Sequence, residues 1–227
     1  MYDELMLEAM SDATIEQVSA SQASYLQRVI EGFKTIGQRH RADGAEALVK
    51  HLKRVRPNTY YHSVRTSRLA RVIGRAFSFD DAQMKELSYA AVLHDSGKIL
   101  IPEAILSRPR KPTRTELFIL HKHPTFGSLL ALYFKLSPEL RIRTQCHHER
   151  WDGRGYPNRL CGEAIPFMSR IVQVADTFDA MVATDRAYRQ PLAHDEAITE
   201  LRRHAGKQFD PRIIEAFADT FPACAIA

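Results

Sequence analysis

Hydrophobic residues recur along this chain at intervals of three and four positions, and no window alternates hydrophobic and polar residues for long. That spacing puts apolar side chains on one face of an α-helix, whereas a half-buried strand needs a spacing of two. The pattern therefore predicts an all-α fold. Helices are expected at about residues 44–55, 63–77, 80–95, 113–122, 124–135, 137–149, 166–183, 193–205 and 210–221.

Several of these helices have recognisable starts. Thr113 and Glu116 have the spacing of a capping box. Ser137 and Asp210 are each followed by proline, which places an N-cap before a proline at the first helical position. The one long irregular stretch is residues 150–165, and a loop of that length in a helical domain is more often functional than not.

The amino-terminal part carries its own apolar stripe over residues 12–41. Its members are Ile15, Val18, Tyr25, Leu26, Val29, Phe33 and Ile36. The moderate width and polar flanks fit two interpretations, a coiled-coil or signalling linker and a helix packed on the domain. We expect residues 1–44 to form a helical extension and residues 45–227 the main domain. If the stripe pairs with a second copy, the protein is a parallel homodimer.

Composition narrows the class of protein. The 227 residues are 44% hydrophobic and 26% charged, which is ordinary for a globular chain. No apolar run approaches about 18 residues, so no membrane span is expected. The first ten residues hold three acids and no base, unlike a secretory signal. Three widely spaced cysteines fit a reducing compartment, and we expect a cytoplasmic protein.

The net charge of +5 permits an anionic partner but does not identify one. The basic residues form no continuous face interleaved with aromatic residues, so nucleic-acid binding is not expected. Cys146 lies beside His147 and is either a small buried residue or a thiolate ligand.

The strongest chemical signal is residues 91–98, where an apolar helical run ends in His94, Asp95 and Lys98. Imidazole and carboxylate together suit a transition metal, and one carboxylate can bridge two ions. A nearby lysine can reach a phosphate held on such a pair. The same residues also fit an ordinary helix C-terminus, because Lys favours that end and Gly97 can follow it.

Further residues of ligand type stand elsewhere, mostly at predicted helix ends or in first turns. The candidate ligands are His62, His94, Asp95, His123, His147, His148 and Asp176. Asp176 interrupts an apolar run, where an unpaired carboxylate is costly to bury. Adjacent histidines on a helix point about 100° apart, which suits a two-metal cluster better than one ion. The remaining histidines, His121 among them, are left as surface or hydrogen-bonded residues.

The His94-Asp95 pair with Lys98, followed by His-His-Glu-x-x-Asp-Gly-x-Gly-Tyr-Pro over residues 147–157, resembles the HD-GYP family of bacterial phosphodiesterases. The similarity continues through residues 174–180, 184–189 and 206–211 and so covers about residues 45–222. It implies an HD-superfamily helical bundle, a metal centre and hydrolysis of the bacterial messenger cyclic di-GMP to pGpG or GMP.

The resemblance also implies roles for the candidate ligands. All seven would hold metal, with Asp95 as the bridging carboxylate, and a hydroxide between the metals would attack phosphorus. Lys98 would contact a phosphate oxygen. Some members of the family hold a third metal with a Glu where this chain has Asn58, a poorer ligand, so two metals are expected. Iron or manganese is preferred, although nickel and zinc also suit these donors.

Two further groups of residues receive roles through the resemblance. Arg186 and Arg189 match positions that hold the far phosphate, although alone they would pass for solvated loop arginines. Gly155 and Tyr156 would shape the substrate entrance. The whole loop, which also includes Asp152, Gly153 and Pro157, would dock GGDEF (diguanylate cyclase) domains. In the alternative interpretation, Asp152 and Tyr156 only hold the loop in its conformation by hydrogen bonds. Trp151 would stack on guanine or simply pack.

Three functions remain open from the sequence. The first is an active cyclic di-GMP phosphodiesterase, which the complete set of ligand-type residues favours. The second is a binding module for cyclic di-GMP or diguanylate cyclases with little turnover. The third is a phosphohydrolase of another cyclic dinucleotide or a nucleotide monophosphate, which the metals and Lys98 would serve equally. Regulation is expected from a separate partner or from an upstream receiver or sensor domain in a longer chain.

Overall fold

The structure is a computed structural model that describes residues 44–107, 110–184 and 190–224, the last four by their backbone alone. These residues form ten α-helices and two 3-10 helices, and they include no strand. The α-helices are α1 (Ala45–Val55), α2 (Pro57–Ala76), α3 (Asp81–Leu93), α4 (Glu103–Leu106), α5 (Arg114–Leu120), α6 (His123–Tyr133), α7 (Pro138–Gln145), α8 (Phe167–Val182), α9 (His194–Arg203) and α10 (Pro211–Cys224). The 3-10 helices are Ser96–Leu100 and Gly162–Ala164. The predicted all-α class is confirmed. The helix predicted over residues 12–41 lies outside the described residues.

The predicted capping residues act as expected. The Thr113 hydroxyl accepts from the Glu116 backbone N–H while the Glu116 carboxylate accepts from the Thr113 N–H, which completes the capping box. The Ser137 hydroxyl accepts from the Leu140 N–H at 3.2 Å. The Asp210 carboxylate accepts from a backbone N–H in the first turn of α10, that of Arg212, at 3.0 Å. Each side chain satisfies an N–H group that the helix itself leaves unpaired.

Three predicted boundaries are wrong in ways that concern the site. α2 begins at Pro57 and not near residue 63, because proline is favoured at the first helical position, so His62 lies in its second turn. α3 ends at Leu93, and the chain tightens into the 3-10 helix Ser96–Leu100. α7 ends at Gln145, so His147 and His148 lie in the turn that follows it. The short α4 was not predicted.

The helices share one hydrophobic core, in which α2 packs against α3, α8 and α10. Four phenylalanines, at positions 134, 178, 209 and 217, are almost fully buried there. Because α2, α3 and α8 meet through this core, polar residues near the ends or middle of each helix are carried to a common region. None of the described helices is both long enough and apolar enough to cross a membrane.

Gly97 allows the 3-10 helix Ser96–Leu100 to lie directly on α6. A Cβ atom at Gly97 would overlap the backbone carbonyl of His123, and its next neighbour would be the backbone nitrogen of Gly127. Backbone atoms cannot move aside as a side-chain tip can. Gly97 therefore allows the close packing of the 3-10 helix on α6 that brings Asp95 next to His123. This role goes beyond that of a glycine that follows the end of a helix.

We expect Gly97→Ala to destabilise the fold by about 3 kcal/mol or more, because the overlap is with backbone. Gly127→Ala is the matched control across the same contact. Its Cβ would meet the Thr144 methyl at 3.1 Å and the Ser96 hydroxyl at 3.2 Å. Both neighbours are side chains, so a cost of about 1 kcal/mol is expected. Urea unfolding of the two variants tests whether Gly97→Ala loses more free energy of unfolding than Gly127→Ala. Equal losses would contradict the prediction.

Candidate metal centre

The seven predicted ligands come from five parts of the fold and converge on one cluster. His62 lies on α2, His94 and Asp95 follow α3, and His123 opens α6. His147 and His148 follow α7, and Asp176 lies on α8. Three overlapping triplets have ligand atoms within 4.8 Å of one another. They are His62, His94 and Asp176; His94, Asp95 and His147; and His123, His147 and His148.

Asp95 lies between two of these triplets, which we call the outer triplets. One consists of His62, His94 and Asp176, and the other of His123, His147 and His148. Its Oδ1 atom is 3.2 Å from the His123 Nε2 atom. Its Oδ2 atom is 3.4 Å from the His94 Nε2 atom and 3.9 Å from the His62 Nε2 atom. The two oxygens of one carboxylate thus face different histidines, which is the arrangement that a bridging ligand needs.

Backbone carbonyls fix the orientation of three of these imidazoles. The Nδ1–H groups of His94, His123 and His147 donate to the carbonyls of Ala91, Leu120 and Thr144 at 2.7, 2.6 and 2.7 Å. Each acceptor lies three residues before its histidine. With the proton held on Nδ1, each ring turns Nε2 toward the cluster, as a metal-binding histidine requires.

The electrostatics of the cluster favour a positive charge at one end. Burial alone would lower the pKa of His94, but the adjacent Asp95 and Asp176 carboxylates outweigh it and raise that pKa to about 10. Burial and the neighbouring His123 lower the pKa of His148 to about 3, and burial also holds the pKa of His147 far below its usual value. These two rings are neutral at physiological pH, the form that binds metal.

The residues fit a transition-metal site. The His94 Nε2 atom is buried and has no hydrogen-bond partner among the residues that the structure describes. It lies 3.4 and 3.7 Å from oxygens of Asp95 and Asp176, and either a proton or a metal cation supplies the positive charge that these carboxylates favour. Imidazole and carboxylate donors are those that iron, manganese, nickel and zinc accept.

Asp179 is a site residue that the sequence reasoning did not assign. Its Oδ2 atom accepts from the His62 Nδ1–H at 2.7 Å. Arg65 holds the same carboxylate with two hydrogen bonds, at 2.9 and 3.1 Å. Although burial raises the pKa of Asp179, these two partners keep it below its ordinary value. Its position three residues after Asp176, on the same face of a helix, was the available signal.

We expect Asp179→Asn to weaken metal binding by about 10- to 100-fold, because a carboxylate that orients a metal-binding histidine also raises its basicity. Metal affinity measured by competition with a chromophoric chelator checks this. Asp219→Asn, an exposed change on α10, is the control. Equal affinity in the two variants would show that Asp179 does not support the site.

The loop after His148 is held by buried backbone contacts. The Glu149 carboxylate, almost fully buried, accepts from the backbone N–H groups of Asn158 and Leu160 at 2.6 and 3.0 Å. A Cβ at Gly155 would overlap backbone atoms of residues 148–150, so only glycine fits there. Asp152 accepts from the Arg150 guanidinium at 2.8 and 3.0 Å and from the Arg154 N–H at 3.1 Å.

Tyr156 covers one side of the cluster with its ring. The ring stacks on His148 with a centroid separation of 4.9 Å and on His121 with a separation of 4.2 Å. His121 had been left out of the predicted site, although it lies two residues before His123. Asp152 therefore fixes the loop by hydrogen bonds, whereas Tyr156 does so by ring contacts and stands next to the candidate ligands.

The other predicted residues lie at different distances from the cluster. The Lys98 Nζ atom is 2.5 Å from the Asp95 Oδ2 atom. Asn58 is exposed and lines a depression that also contains Lys98. Trp151 packs under the buried Arg170 guanidinium at 5.5 Å, which supports its packing role. Arg186 and Arg189 fall outside the described residues.

Cys146 belongs to none of the ligand groups found among the described residues. Its thiol is buried, and burial raises its pKa to about 12. Its burial and its position outside the ligand groups favour the interpretation as a small core side chain.

The family model of the HD domain matches residues 35–213, which is most of the chain. The chain belongs to the HD domain family. Its His94-Asp95 and Gly155-Tyr156-Pro157 motifs are those of the HD-GYP type. HD domain proteins are metal-dependent, and the cluster of histidines and aspartates in this one is a group that could bind metal.

Two curated relatives are similar in sequence to this chain over much of its length. A cyclic di-GMP phosphodiesterase of Thermotoga maritima is 40% identical over 162 residues, which are 70% of this chain and 44% of that protein. The 3′3′-cGAMP-specific phosphodiesterase 2 of Vibrio cholerae is 39% identical over 150 residues, which are 65% of this chain and 28% of that protein. The chain thus spans less than half the length of either relative.

A solved structure has the same fold. Bd1817, an HDG"Y"P protein from Bdellovibrio bacteriovorus, matches with a TM-score of 0.61 at 17% identity. The match covers 97% of this chain and 78% of that one. The match confirms the predicted helical fold, and the family model of the HD domain supplies the HD assignment.

Proposed function

We propose that this HD domain hydrolyses cyclic di-GMP to pGpG or GMP with two divalent transition metals. The observation that carries the proposal is the position of Asp95, whose two oxygens lie 3.2 Å from His123 and 3.4 Å from His94. One carboxylate placed between two sets of ligands can serve two ions at once. The name of the Thermotoga maritima relative supports the substrate.

The outer triplets divide the ligands between the two ions. His62, His94 and Asp176 would hold one metal, and His123, His147 and His148 the other, with Asp95 shared. When bound, the pair lowers the pKa of a water molecule and neutralises charge on the phosphodiester. Iron or manganese is proposed, as the resemblance to the HD-GYP family implies.

Hydrolysis adds one water across a P–O3′ bond, with the hydroxyl on phosphorus and the proton on the leaving oxygen. One cleavage gives linear pGpG, and a second gives two GMP molecules. Lys98 is suited to hold a phosphate oxygen, because its ammonium lies at the cluster and carries a localised charge. Tyr156 and Gly155 would border the bound dinucleotide, and Arg186 and Arg189 would hold its far phosphate, as the resemblance implies.

A second candidate substrate is 3′3′-cGAMP. The Vibrio cholerae relative named for it is almost as similar as the one named for cyclic di-GMP. In either case the bound metals and Lys98 would act on phosphate and not on the bases, so they do not separate the two substrates. Docking of GGDEF-domain proteins on the 152–157 loop and pairing through the amino-terminal helix stay predictions.

Chromatography of products tests the proposal. The protein is supplied with Mn²⁺ or anaerobic Fe²⁺ and incubated with cyclic di-GMP, 3′3′-cGAMP, cyclic di-AMP and linear pGpG separately, with a chelator-treated sample as control. We expect pGpG or GMP from cyclic di-GMP at the highest rate. Faster cleavage of 3′3′-cGAMP would support the second candidate. Tight cyclic di-GMP binding without products from any substrate would overturn hydrolysis in favour of a binding module.

A further inference from the structure

A groove between α1, α2 and α3 is separate from the proposed ligands. Its volume is about 610 Å³. Much of its lining is apolar or aromatic. Among these residues are Val49, Tyr60, Val64, Met84, Tyr89 and Val92. A groove of this size with apolar side chains in its lining can accept a few side chains of an amphipathic segment.

The polar part of the same lining is mainly basic. Arg71, Arg75 and Lys85 line the groove, against one acid, Asp81. Arg75 and Lys85 are exposed, and Arg71 donates to the Ser88 hydroxyl at 3.1 Å. A groove that presents both apolar side chains and cations suits a segment that combines apolar side chains with carboxylates.

The chain itself supplies such a segment. Residues 1–27 contain five acids and neither Lys nor Arg. The acids are Asp3, Glu4, Glu8, Asp12 and Glu16. The same residues include apolar side chains such as Leu5, Met6, Ile15 and Val18. The net charge of this segment is opposite to that of the groove.

The attachment point of this segment lies beside the groove. The described structure starts at Gly44 and enters α1 at Ala45, one turn before Val49, which lines the groove. Residues four apart share a face of a helix, so the chain enters on the side of the groove. Residues 28–43 can span at most about 55 Å when fully extended, more than a local return requires.

We propose that residues 1–27 dock in this groove of their own chain. Tyr60 and Val64 stand two residues on either side of His62, and Val92 stands two residues before His94. A docked segment therefore contacts α2, which carries His62, and α3, which ends just before His94 and Asp95. The groove is an internal interaction surface for the amino-terminal segment, and its existence does not depend on the proposed activity.

Zero-length cross-linking of the full chain tests the docking. A carbodiimide joins a lysine amine to a carboxylate in contact with it, and peptide mapping identifies the pair. We expect links from Lys85 to acids of residues 1–27 in the monomer fraction. Lys207, exposed on the loop before α10, is the control and should form none with that segment. An equal mixture of ¹⁵N-labelled and unlabelled protein separates links within a chain from links between chains.

Two charge reversals sharpen the result. Arg75→Glu should lower the yield of Lys85 links several-fold, whereas Arg114→Glu, the same change at an exposed site on α5, should not. Circular dichroism verifies that both variants fold. Links at Lys85 only between labelled and unlabelled chains would assign the groove to a second copy and overturn the proposal. Absence of any Lys85 link to residues 1–27 would overturn it as well.

Discussion

An Asp95→Asn protein is expected to lose most of its metal and to hydrolyse cyclic di-GMP at least about a thousandfold more slowly, since metals contribute several kcal/mol to transition-state stabilisation. Asn has nearly the size of Asp but no charge, and only one oxygen. It cannot face His123 and His94 with equivalent carboxylate atoms, as Asp95 does. Asp176, the other carboxylate of the cluster, lies 2.9 Å from His62 and belongs to one outer triplet only, so it is not placed to take over the bridge.

The measurement combines elemental analysis with initial rates on the same preparation. Asp219→Asn, an exposed carboxylate on α10, controls for the loss of one charge and should match the wild-type protein. Far-UV circular dichroism and thermal unfolding separate loss of metal from loss of fold. An Asp95→Asn protein with wild-type metal content and rate would show that this carboxylate is not a bridging ligand.

The second large effect is expected at Lys98. Lys98→Met keeps most of the side-chain volume and removes the ammonium. We expect kcat to fall about 100- to 1,000-fold, as it does when one preorganised group that stabilises transition-state charge is lost. Metal content should be retained, because an ammonium group has no free electron pair to donate to a metal. The 2.5 Å contact with Asp95 places the ammonium at the cluster.

Lys207→Met is the control for Lys98→Met, because its side chain is exposed and lies outside the cluster. A fall in kcat with metal content unchanged is the predicted pattern. If metal content falls in parallel with the rate, Lys98 serves to hold Asp95 in place and not to contact phosphate. An unchanged kcat would exclude both roles.

The helical fold was predictable because its signals are local. Spacings of three and four residues, the capping pair Thr113 and Glu116, and proline after Ser137 each act within one or two turns. The same local evidence failed at Pro57, because the pattern predicts no helix between residues 55 and 63 whereas α2 begins at this proline. A proline can follow the end of one helix or begin another, and the sequence alone does not distinguish the two. The packing of α1 against α2 decides between them.

The ligand types were predictable, but their mutual positions were not. Nothing in the sequence states that Asp95 meets His123, because that contact depends on Gly97 letting the 3-10 helix lie on α6. Asp179 was missed for a similar reason. Its partner His62 is 117 residues away, and the pair becomes visible only when α2 and α8 pack together.

The loop over residues 150–165 shows a further limit of sequence reasoning. Its glycines indicated an irregular backbone, but the reason for Gly155 is overlap with the backbone of residues 148–150, not a left-handed conformation. The contact of His121 with Tyr156 has no sequence signal beyond proximity to His123. Both features depend on how the loop folds back on the turn that carries His147 and His148.

The most direct test of the central claim is a titration of hydrolysis against metal occupancy. Metal-free protein is prepared by chelation and loaded stepwise with Mn²⁺ or anaerobic Fe²⁺. Bound metal per chain and the rate of cyclic di-GMP cleavage are then measured on each sample. A two-metal centre predicts that full activity requires about two ions per chain. Full activity at one ion per chain, or in the metal-free protein, would contradict it.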